Sequence, residues 1–256
     1  MKTCIIYITV FCSFLFWSCQ KELKDQQVSH ATYPLHIIFR PVIKDQPLVP
    51  GQNHTNAFGE DYNISAFRFY VSKLGLKSNS ATVPLPTETK YRLADAGLTN
   101  TLSFSLSTDQ NTFSSLSFQL GVDSIDNVSG AQSGDLDPAK GMFWTWNSGY
   151  IMAKLEGASS YSSVPDGNFT YHIGGFSGAT NAIRSISMQT PGGAPVTLNE
   201  NKATTILIIA DIDKWFNAVH PLKIADHAFV HSPGELAKLY ADNYATMFSI
   251  TEITEE

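Results

Sequence analysis

Alternation of apolar and polar residues is the main structural signal along this chain. Apolar side chains recur at every second position in several segments, as in β-strands with one buried face. Clusters of Gly, Pro, Asn, Asp and Ser separate these segments and predict turns. The alternation predicts strands at 34–43, 63–77, around Tyr91, 102–106, 113–120, 142–159, 168–188 and 204–210.

Helical spacing is confined to the C-terminal part of the chain. Ser232 is a candidate N-cap, with Pro233 at the first helical position and Glu235 three residues after the cap. We therefore predict an all-β fold, an antiparallel β-sandwich with Greek-key-like connections and a short C-terminal helix. The apolar residues at helical spacing are Leu236, Leu239, Tyr240, Tyr244, Met247 and Phe248.

The N-terminus has a different pattern from the rest of the chain. Lys2 precedes an apolar stretch that is too short to span a bilayer comfortably, and Ser18 directly precedes Cys19. This arrangement resembles the lipobox of bacterial lipoproteins, in which the cysteine carries lipid; plain secretory cleavage is the alternative. The prediction is a lipoprotein signal peptide at 1–18, a flexible tether at 19–33 and a β-sandwich domain at 34–256. Cys19 would then anchor an outer-membrane lipoprotein of the cell envelope to the lipid bilayer.

Composition narrows the classes of function. Hydrophobic residues make up 43% and aromatic residues 12% of the chain, which is enough for a sizeable core. The net charge is −6 and the predicted domain has no basic cluster, so we do not expect a nucleic-acid partner. All three cysteines lie at or before Cys19. The predicted domain therefore has no thiol for a disulfide, a zinc–thiolate site or a nucleophile.

Sequence motifs of enzymes are absent. The chain has no GxSxG, HExxH or P-loop motif, and no GxGxxG motif after a predicted strand. We therefore predict that it is not an enzyme. A Ser-His-Asp hydrolase remains an alternative, because such a triad is assembled in space and not along the chain.

Histidines are the candidate metal ligands. Imidazole is the usual ligand for copper and zinc where thiolates are absent. His54 lies in a Gly- and Pro-rich loop, and His172 precedes two glycines near the end of a predicted strand. His220, His227 and His231 fall within twelve residues of each other, but no two histidines have the compact spacing of a metal motif.

A long acidic loop precedes the two central tryptophans. It runs from 123 to 141 and is longer than most loops within compact domains, which indicates a binding role. Its carboxylates are candidate calcium ligands, although their spacing does not match an EF-hand and solvated acids are the simpler interpretation. They are Asp123, Asp126, Asp135 and Asp137.

The segment after this loop carries a family resemblance. "GMFWTWNSGY", with Trp144 and Trp146, is followed by "IMAKLEG" and resembles the hallmark of the MbnP-like proteins, which accompany methanobactin gene clusters. Further segments resemble the same family in the same order: "LHIIFRPVIKDQPLVPG", "ISAFRFYVSKLGL", "GVDSIDNVSGAQSGDLDPAKGMFW" and "YHIGGFSG". Together they cover most of residues 34–250. This chain thus looks like a lipoprotein member of that family.

The resemblance implies an exported β-sandwich and, as in some members, copper binding. In those members histidines and an oxidised tryptophan, kynurenine, are the copper ligands, and a dihaem MauG-like or cytochrome c peroxidase-like enzyme performs the oxidation. His172 matches the H-x-G segment, His54 lies in the loop after the first strand, and Trp144 and Trp146 match the tryptophan motif. These four residues are therefore the expected metal site.

Two functions follow as expectations. The first is a lipid-anchored copper-binding protein in copper acquisition or storage, with His54, His172, Trp144 and Trp146 at the metal. The second is an extracytoplasmic module that binds carbohydrate or protein without copper, through exposed aromatic and loop residues. Ordinary core packing of both tryptophans is the structural alternative to a role at a metal.

Overall fold

Strands account for most of the regular structure, as the alternation predicts. The structure is a computed structural model that describes residues 31–78, 81–144 and 149–256. Its strands are β1 (Tyr33–Ile43), β2 (Gln46–Pro47), β3 (His54–Thr55), β4 (Asp61–Ser78), β5 (Ala81–Pro84), β6 (Tyr91–Asp95), β7 (Ser103–Thr108), β8 (Thr112–Phe113), β9 (Ser115–Leu120), β10 (Phe143–Trp144), β11 (Gly149–Ala158), β12 (Asn168–Gly174), β13 (Arg184–Gln189), β14 (Val196–Thr197), β15 (Thr204–Asp211), β16 (Phe229–Val230) and β17 (Phe248–Glu255).

Helices are short and lie between the strands. The α-helices are α1 (Ser124–Val128) and α2 (Glu235–Tyr244). Single turns of 3₁₀-helix lie at Thr99–Thr101, Gly134–Leu136, Pro138–Lys140, Gly178–Thr180, Pro191–Gly193 and Ile212–Trp215. Within the described residues, no helix has both the length and the apolar character needed to cross a bilayer.

The strands form two large sheets and a small one. The first sheet has the order β17-β15-β1-β2, with β7 also paired to β1, and the second has the order β13-β9-β4-β11-β12-β16 with four short strands attached. A two-stranded sheet joins β14 and β8. Spatial neighbours in both large sheets are often distant along the chain, as in the pairing of β1 with β15. The predicted all-β sandwich is confirmed.

Two strand pairs depart from the antiparallel pattern. The N-terminal strand β1 runs parallel to β15, and β12 runs parallel to β16. Both β1 and β15 are rich in apolar residues on both faces, as expected for strands in the interior of a sheet. The pairing of β12 with β16 has a direct consequence for the site, because it brings residues around 230 beside residues around 171.

Aromatic side chains fill the space between the two large sheets. Phe39 on β1 contacts Phe69 and Phe118 on the second sheet, with ring centroids 5.4 and 5.6 Å apart and edge-to-face geometry. Phe248 on β17 meets Phe118 at 5.0 Å. All these rings are buried. The alternation that predicts the strands thus also identifies the inward-facing residues.

The C-terminal region differs from its prediction in two ways. The helix begins at Glu235, with Gly234 and not Ser232 at the N-cap, and no side chain caps it. Pro233 instead packs near Gly175, where an added Cβ would lie 3.4 Å from the proline Cβ. The helix also ends at Tyr244, and Phe248 begins strand β17. Phe248 and Ile250 alternate with polar neighbours, which is a pattern typical of a strand.

A buried carboxylate fixes the segment that leads into β16. The Glu60 side chain accepts hydrogen bonds from the Asn56 side-chain amide at 2.7 Å and from the backbone N–H groups of Ile224 and Ala225 at 2.9 and 3.0 Å. Glu60 is only 2% exposed. These bonds join the β3–β4 hairpin to the loop before β16, so they help to define the path of the chain toward His231.

Several predictions concern the N-terminus, which lies outside the described residues. They are the signal peptide at 1–18, the lipidated Cys19 and most of the tether at 19–33. The described chain begins at Ala31, the first residue of the unit Ala31–Glu256. These assignments therefore stay predictions.

Candidate functional site

A row of polar side chains crosses the outer face of the second sheet. Strand register places Lys154 of β11 opposite both Arg68 of β4 and His172 of β12. His231 directly follows β16, whose Val230 pairs with Tyr171, and so lies beside His172. Side chains at adjacent register positions on one face interact directly. The fold thus brings residues from four separate strands or strand ends into one row.

His172 forms a short hydrogen bond within this row. Its Nε2 lies 2.6 Å from Oε1 of Glu156, and the same carboxylate oxygen lies 3.3 Å from Nζ of Lys154. The Lys154 side chain is 10% exposed and that of His172 is 13% exposed, so both are largely removed from water. The Glu156 carboxylate therefore bridges a lysine and a histidine at the surface of the sheet.

The His231 ring stacks on the His172 ring. Their centroids are 3.8 Å apart and the planes differ by only 11°. On its other side His231 contacts Phe229, at 4.0 Å between centroids. Nε2 of His231 is buried and has no hydrogen-bond partner within the described residues. A buried nitrogen of this kind is uncommon in proteins and marks a place where a ligand could bind.

Trp144 packs over Gly174, which lies two residues beyond His172 on β12. A Cβ added at Gly174 would come within 2.4 Å of the six-membered part of the indole ring, so the indole occupies the space above this glycine. Residues 172 and 174 point to the same face of β12, and their Cα atoms are about 7 Å apart along the strand. The indole and the two imidazoles therefore share one face of the sheet. Trp144 is 5% exposed.

Burial and proximity alter the ionisation of two members of the group. The hydrogen bond from His172, then the nearby Lys154, lower the pKa of Glu156 to about 2 despite partial burial. This carboxylate stabilises the fold above its usual pKa of 4.5, and the contribution is lost as the pH falls toward 2. Burial, followed by the neighbouring His172, lowers the pKa of His231 to about 4. His231 is therefore a neutral imidazole at neutral pH, the form that binds metals.

The depressed pKa of His231 predicts a pH dependence of folding stability. Between pH 6.5 and about 4 the unfolded chain takes up a proton at this histidine that the folded chain does not. We expect the urea midpoint to fall as the pH is lowered through this window, and to fall less steeply in His231→Gln. Urea titrations at intervals from pH 7 to 4.5 measure this slope. Equal slopes in the parent and the variant would contradict the assignment.

His54 occupies a different part of the sheet. It lies on β3 opposite Tyr62, with the two rings 5.9 Å apart. Burial lowers its pKa, and its Nε2 has no partner within the described residues. Register places Asn168 of β12 near the level of Tyr62, and His172 lies four residues further, roughly 13 Å along the strand. The structure therefore does not bring His54 and His172 together.

The other predicted site residues have separate positions. Trp146 and Cys19 lie outside the described residues. His220 bonds to Asp242 of α2, with 3.2 Å between its Nε2 and the carboxylate. His227 is followed by β16, and its backbone carbonyl accepts from the Tyr240 hydroxyl at 3.4 Å. Of the three C-terminal histidines, His231 is the one stacked on His172.

The acidic loop is held to the sheet by its own carboxylates. Asp123 and Asp126 pair with Lys73 and Lys90, each at 2.5 Å, and Asp135 pairs with Lys140 at 2.5 Å. Asp137 accepts a hydrogen bond from the backbone of Ala139. A calcium ion here would have to displace lysine ammonium groups. Calcium binding by this loop stays a prediction.

The Gly-Tyr pair at the end of the tryptophan segment organises the same loop. The Tyr150 hydroxyl donates toward the Leu136 carbonyl at 3.0 Å and accepts from the Gln132 N–H at 3.1 Å. The buried Asn127 side chain accepts from the Tyr150 N–H at 2.7 Å, and a Cβ at Gly149 would lie 3.3 Å from its oxygen. Part of the hallmark segment therefore has a structural role, which is to join the loop to β11.

The donor atoms of the histidine pair suit a metal site, but the present orientation of the two rings does not. Two imidazoles, one with an unpartnered buried nitrogen, are suitable ligands for copper. Parallel rings do not direct both lone pairs at one point, so one imidazole would have to rotate to chelate an ion with the other. Among the described residues, no group of three or more His, Cys, Asp or Glu side chains is arranged to hold a metal ion. Further coordination would have to come from another type of donor.

The site expected from the sequence omits Lys154, Glu156 and His231. The signal for Glu156 is the pair of charged residues at positions 154 and 156 in an otherwise apolar strand, since alternation places both on the same face. No local pattern identifies His231, since its position beside His172 depends on the parallel pairing of β12 and β16.

These features define a class of protein, a β-sandwich with an imidazole pair and an indole on the outer face of one sheet. The sequence profile of the MbnP family matches residues 32–232. The chain therefore belongs to the MbnP family, and the predicted resemblance is confirmed. Among solved structures, MbnP from Methylosinus trichosporium is similar with a TM-score of 0.52 and 14% identity, covering 80% of this chain and 83% of that chain. This likeness supports the fold. A search of curated proteins found no match.

Proposed function

We propose that this chain is an exported, lipid-anchored copper-binding protein that serves copper acquisition or storage and is not an enzyme. The observation that carries the proposal is the grouping of His172, His231 and Trp144 on one face of the second sheet. Membership in the MbnP family supports it, as does the absence of cysteine after Cys19. Without thiolates, copper must be held mainly by nitrogen donors.

His172 and His231 are the proposed imidazole ligands. His172 was expected from the sequence, and His231 is added because its ring stacks on His172 and its Nε2 lacks a partner among the described residues. His54 remains a candidate for a separate role, since it lies elsewhere on the sheet. Bound copper would be the cargo that the protein acquires or stores.

Trp144 is the proposed source of a further donor after oxidation. An intact indole is a poor ligand because its nitrogen lone pair belongs to the aromatic ring, whereas kynurenine carries an aniline amine. Trp144 lies above Gly174, on the face of β12 that also carries His172, and this shared face supports the role. Trp146 is the alternative. A dihaem MauG-like or cytochrome c peroxidase-like enzyme is the proposed oxidising partner.

The proposed location is the outer membrane, with the lipid on Cys19 and the domain outside the cytoplasm. The apolar segment before Ser18 and Cys19 supports this location. Metabolic labelling with a radioactive fatty acid tests it, with Cys19→Ser as the control that should lose the label. Label retained by that variant would contradict the proposed lipid anchor.

Copper binding is tested directly on the full-length protein purified in detergent. We expect about one copper ion per chain. We also expect His172→Ala or His231→Ala to weaken copper binding by about 100-fold or more, because removing a residue that merely hydrogen-bonds to a metal ligand already costs about 10- to 100-fold. Competition with a chromophoric copper chelator measures the affinity. Intact mass of the native lipoprotein, with a gain of oxygen and loss of carbon, would reveal kynurenine.

The matched control is His220→Ala, which removes a partly exposed histidine that bonds to Asp242. It should leave copper affinity unchanged. His54→Ala decides whether the separate histidine contributes. An absence of copper binding at micromolar concentrations, with or without the oxidising partner, would remove the proposal.

A second candidate is a module that binds carbohydrate or protein. Phe229 is 59% exposed and, with His231 and Leu236, borders an open groove of about 500 Å³ at the start of α2. Exposed aromatic rings stack on sugars, so this groove could hold a glycan. Glycan-array binding that Phe229→Ala abolishes, combined with no copper binding, would favour this function.

A further inference from the structure

The Glu156 carboxylate contacts one of the two ring nitrogens of His172. Its Oε1 lies 2.6 Å from Nε2 of His172 and 3.3 Å from Nζ of Lys154. Register places Lys154 directly opposite His172, with Glu156 one position further on the same face of β11. The carboxylate is therefore held between the lysine and the imidazole.

This arrangement determines where the hydrogen of the imidazole lies. A carboxylate is an acceptor, so a contact of 2.6 Å between its oxygen and a ring nitrogen requires that the nitrogen carry the hydrogen. The Lys154 ammonium group favours the ionised carboxylate over the acid. In the neutral form of His172 the hydrogen therefore lies on Nε2 and the free lone pair on Nδ1.

We propose that Glu156, fixed by Lys154, is a positioning residue that holds His172 in the Nε2–H form, so that this histidine binds metal through Nδ1. The metal part of this inference rests on the proposed function. Carboxylates commonly hold metal-binding histidines in this manner, fixing both the ring orientation and the tautomer. The Lys154–Glu156 pair is thus an integral part of the site on this face.

A purely structural ion pair would behave differently. Loss of a structural pair lowers stability but has no reason to move a hydrogen between the nitrogens of His172. The tautomer can be measured without metal, from the ¹⁵N shifts and ring-proton couplings of labelled histidines. The test uses the full-length protein in detergent, with His172→Gln to assign the His172 signals.

In the metal-free parent protein we expect His172 to be in the Nε2–H form. Glu156→Ala should shift His172 toward a mixture of tautomers, whereas Glu156→Gln, which keeps a carbonyl acceptor, should preserve much of the parent signal. Glu252→Ala, which removes an exposed strand carboxylate of the first sheet, should have no effect. An Nδ1–H form in the parent, or an unchanged tautomer in Glu156→Ala, would overturn the role of Glu156.

The copper measurement separates this inference from the proposed function. In a copper-binding parent, Glu156→Ala should lower copper affinity about 10- to 100-fold, with a smaller loss in Glu156→Gln. Unchanged affinity in Glu156→Ala would overturn binding through an Nδ1 prepared by Glu156. The parent protein could also bind no copper and still show a His172 tautomer that depends on Glu156. That result would overturn the proposed copper function and the metal part of the inference. Glu156 would then remain a positioning residue for His172.

Discussion

Replacement of Glu60 by alanine is expected to lower the free energy of unfolding by about 3 kcal/mol or more, since each buried donor left without an acceptor costs about 1–3 kcal/mol. The substitution removes the acceptor for the Asn56 amide and for the N–H groups of Ile224 and Ala225. With Glu60 only 2% exposed, water has little access to replace these bonds. Urea unfolding at neutral pH measures the loss of unfolding free energy, with the same dependence on urea concentration (m-value) applied to parent and variant.

Glu60→Gln provides the graded comparison. It keeps the size of the side chain and one carbonyl acceptor but places an amide N–H₂ group toward backbone donors, so we expect a loss smaller than that of alanine. Glu88→Ala removes an exposed carboxylate and should change stability by less than about 0.5 kcal/mol. Losses of similar size in Glu60→Ala and Glu88→Ala would show that the Glu60 bonds do not stabilise the fold.

Gly174→Ala is expected to disturb both stability and the candidate site. The new Cβ would lie 2.4 Å from the Trp144 ring and 3.1 Å from the carbonyl oxygen of Tyr150. The backbone oxygen has little freedom to move, so the indole must shift. Forced repacking of this kind costs typically about 1–3 kcal/mol. Urea unfolding measures the loss, and a change in tryptophan fluorescence of the folded protein reports the displaced ring.

Gly234→Ala is the matched control for this substitution. Gly234 has an extended backbone, and an added Cβ there meets no atom within 4 Å. Its stability and fluorescence should therefore stay close to those of the parent. A Gly174→Ala protein as stable as the Gly234→Ala protein, with unchanged fluorescence, would show that Trp144 does not occupy the space above Gly174.

The long strands were accessible to sequence reasoning because local alternation marks them, but the segment 168–188, predicted as one strand, forms the two separate strands β12 and β13. The alternation at 34–43 and 63–77 predicts the core of β1 and β4, and the apolar run at 204–210 predicts β15. The C-terminus was harder, because Tyr244, Met247 and Phe248 fit a helical spacing as well as the start of a strand. The helix ends at Tyr244, and the following β-branched and aromatic residues join the first sheet.

The candidate site was only partly accessible for a different reason. His172 and Trp144 belong to recognisable segments, and both lie on the proposed face. His54 was selected from the same kind of local evidence but lies elsewhere on the sheet. Glu156 and His231 were not selected, although the first lies within 3 Å of His172 and the second stacks on it.

The sequence alone determined that this protein is an all-β member of the MbnP family and that the chain lacks cysteine after Cys19. Local side-chain alternation and recognisable motifs contain that information. Only the tertiary structure decided which histidines are neighbours, because strands distant along the chain become adjacent through hydrogen-bond register. The parallel pairing of β12 with β16 is such a case, since it places His231 against His172 across nearly sixty residues of chain.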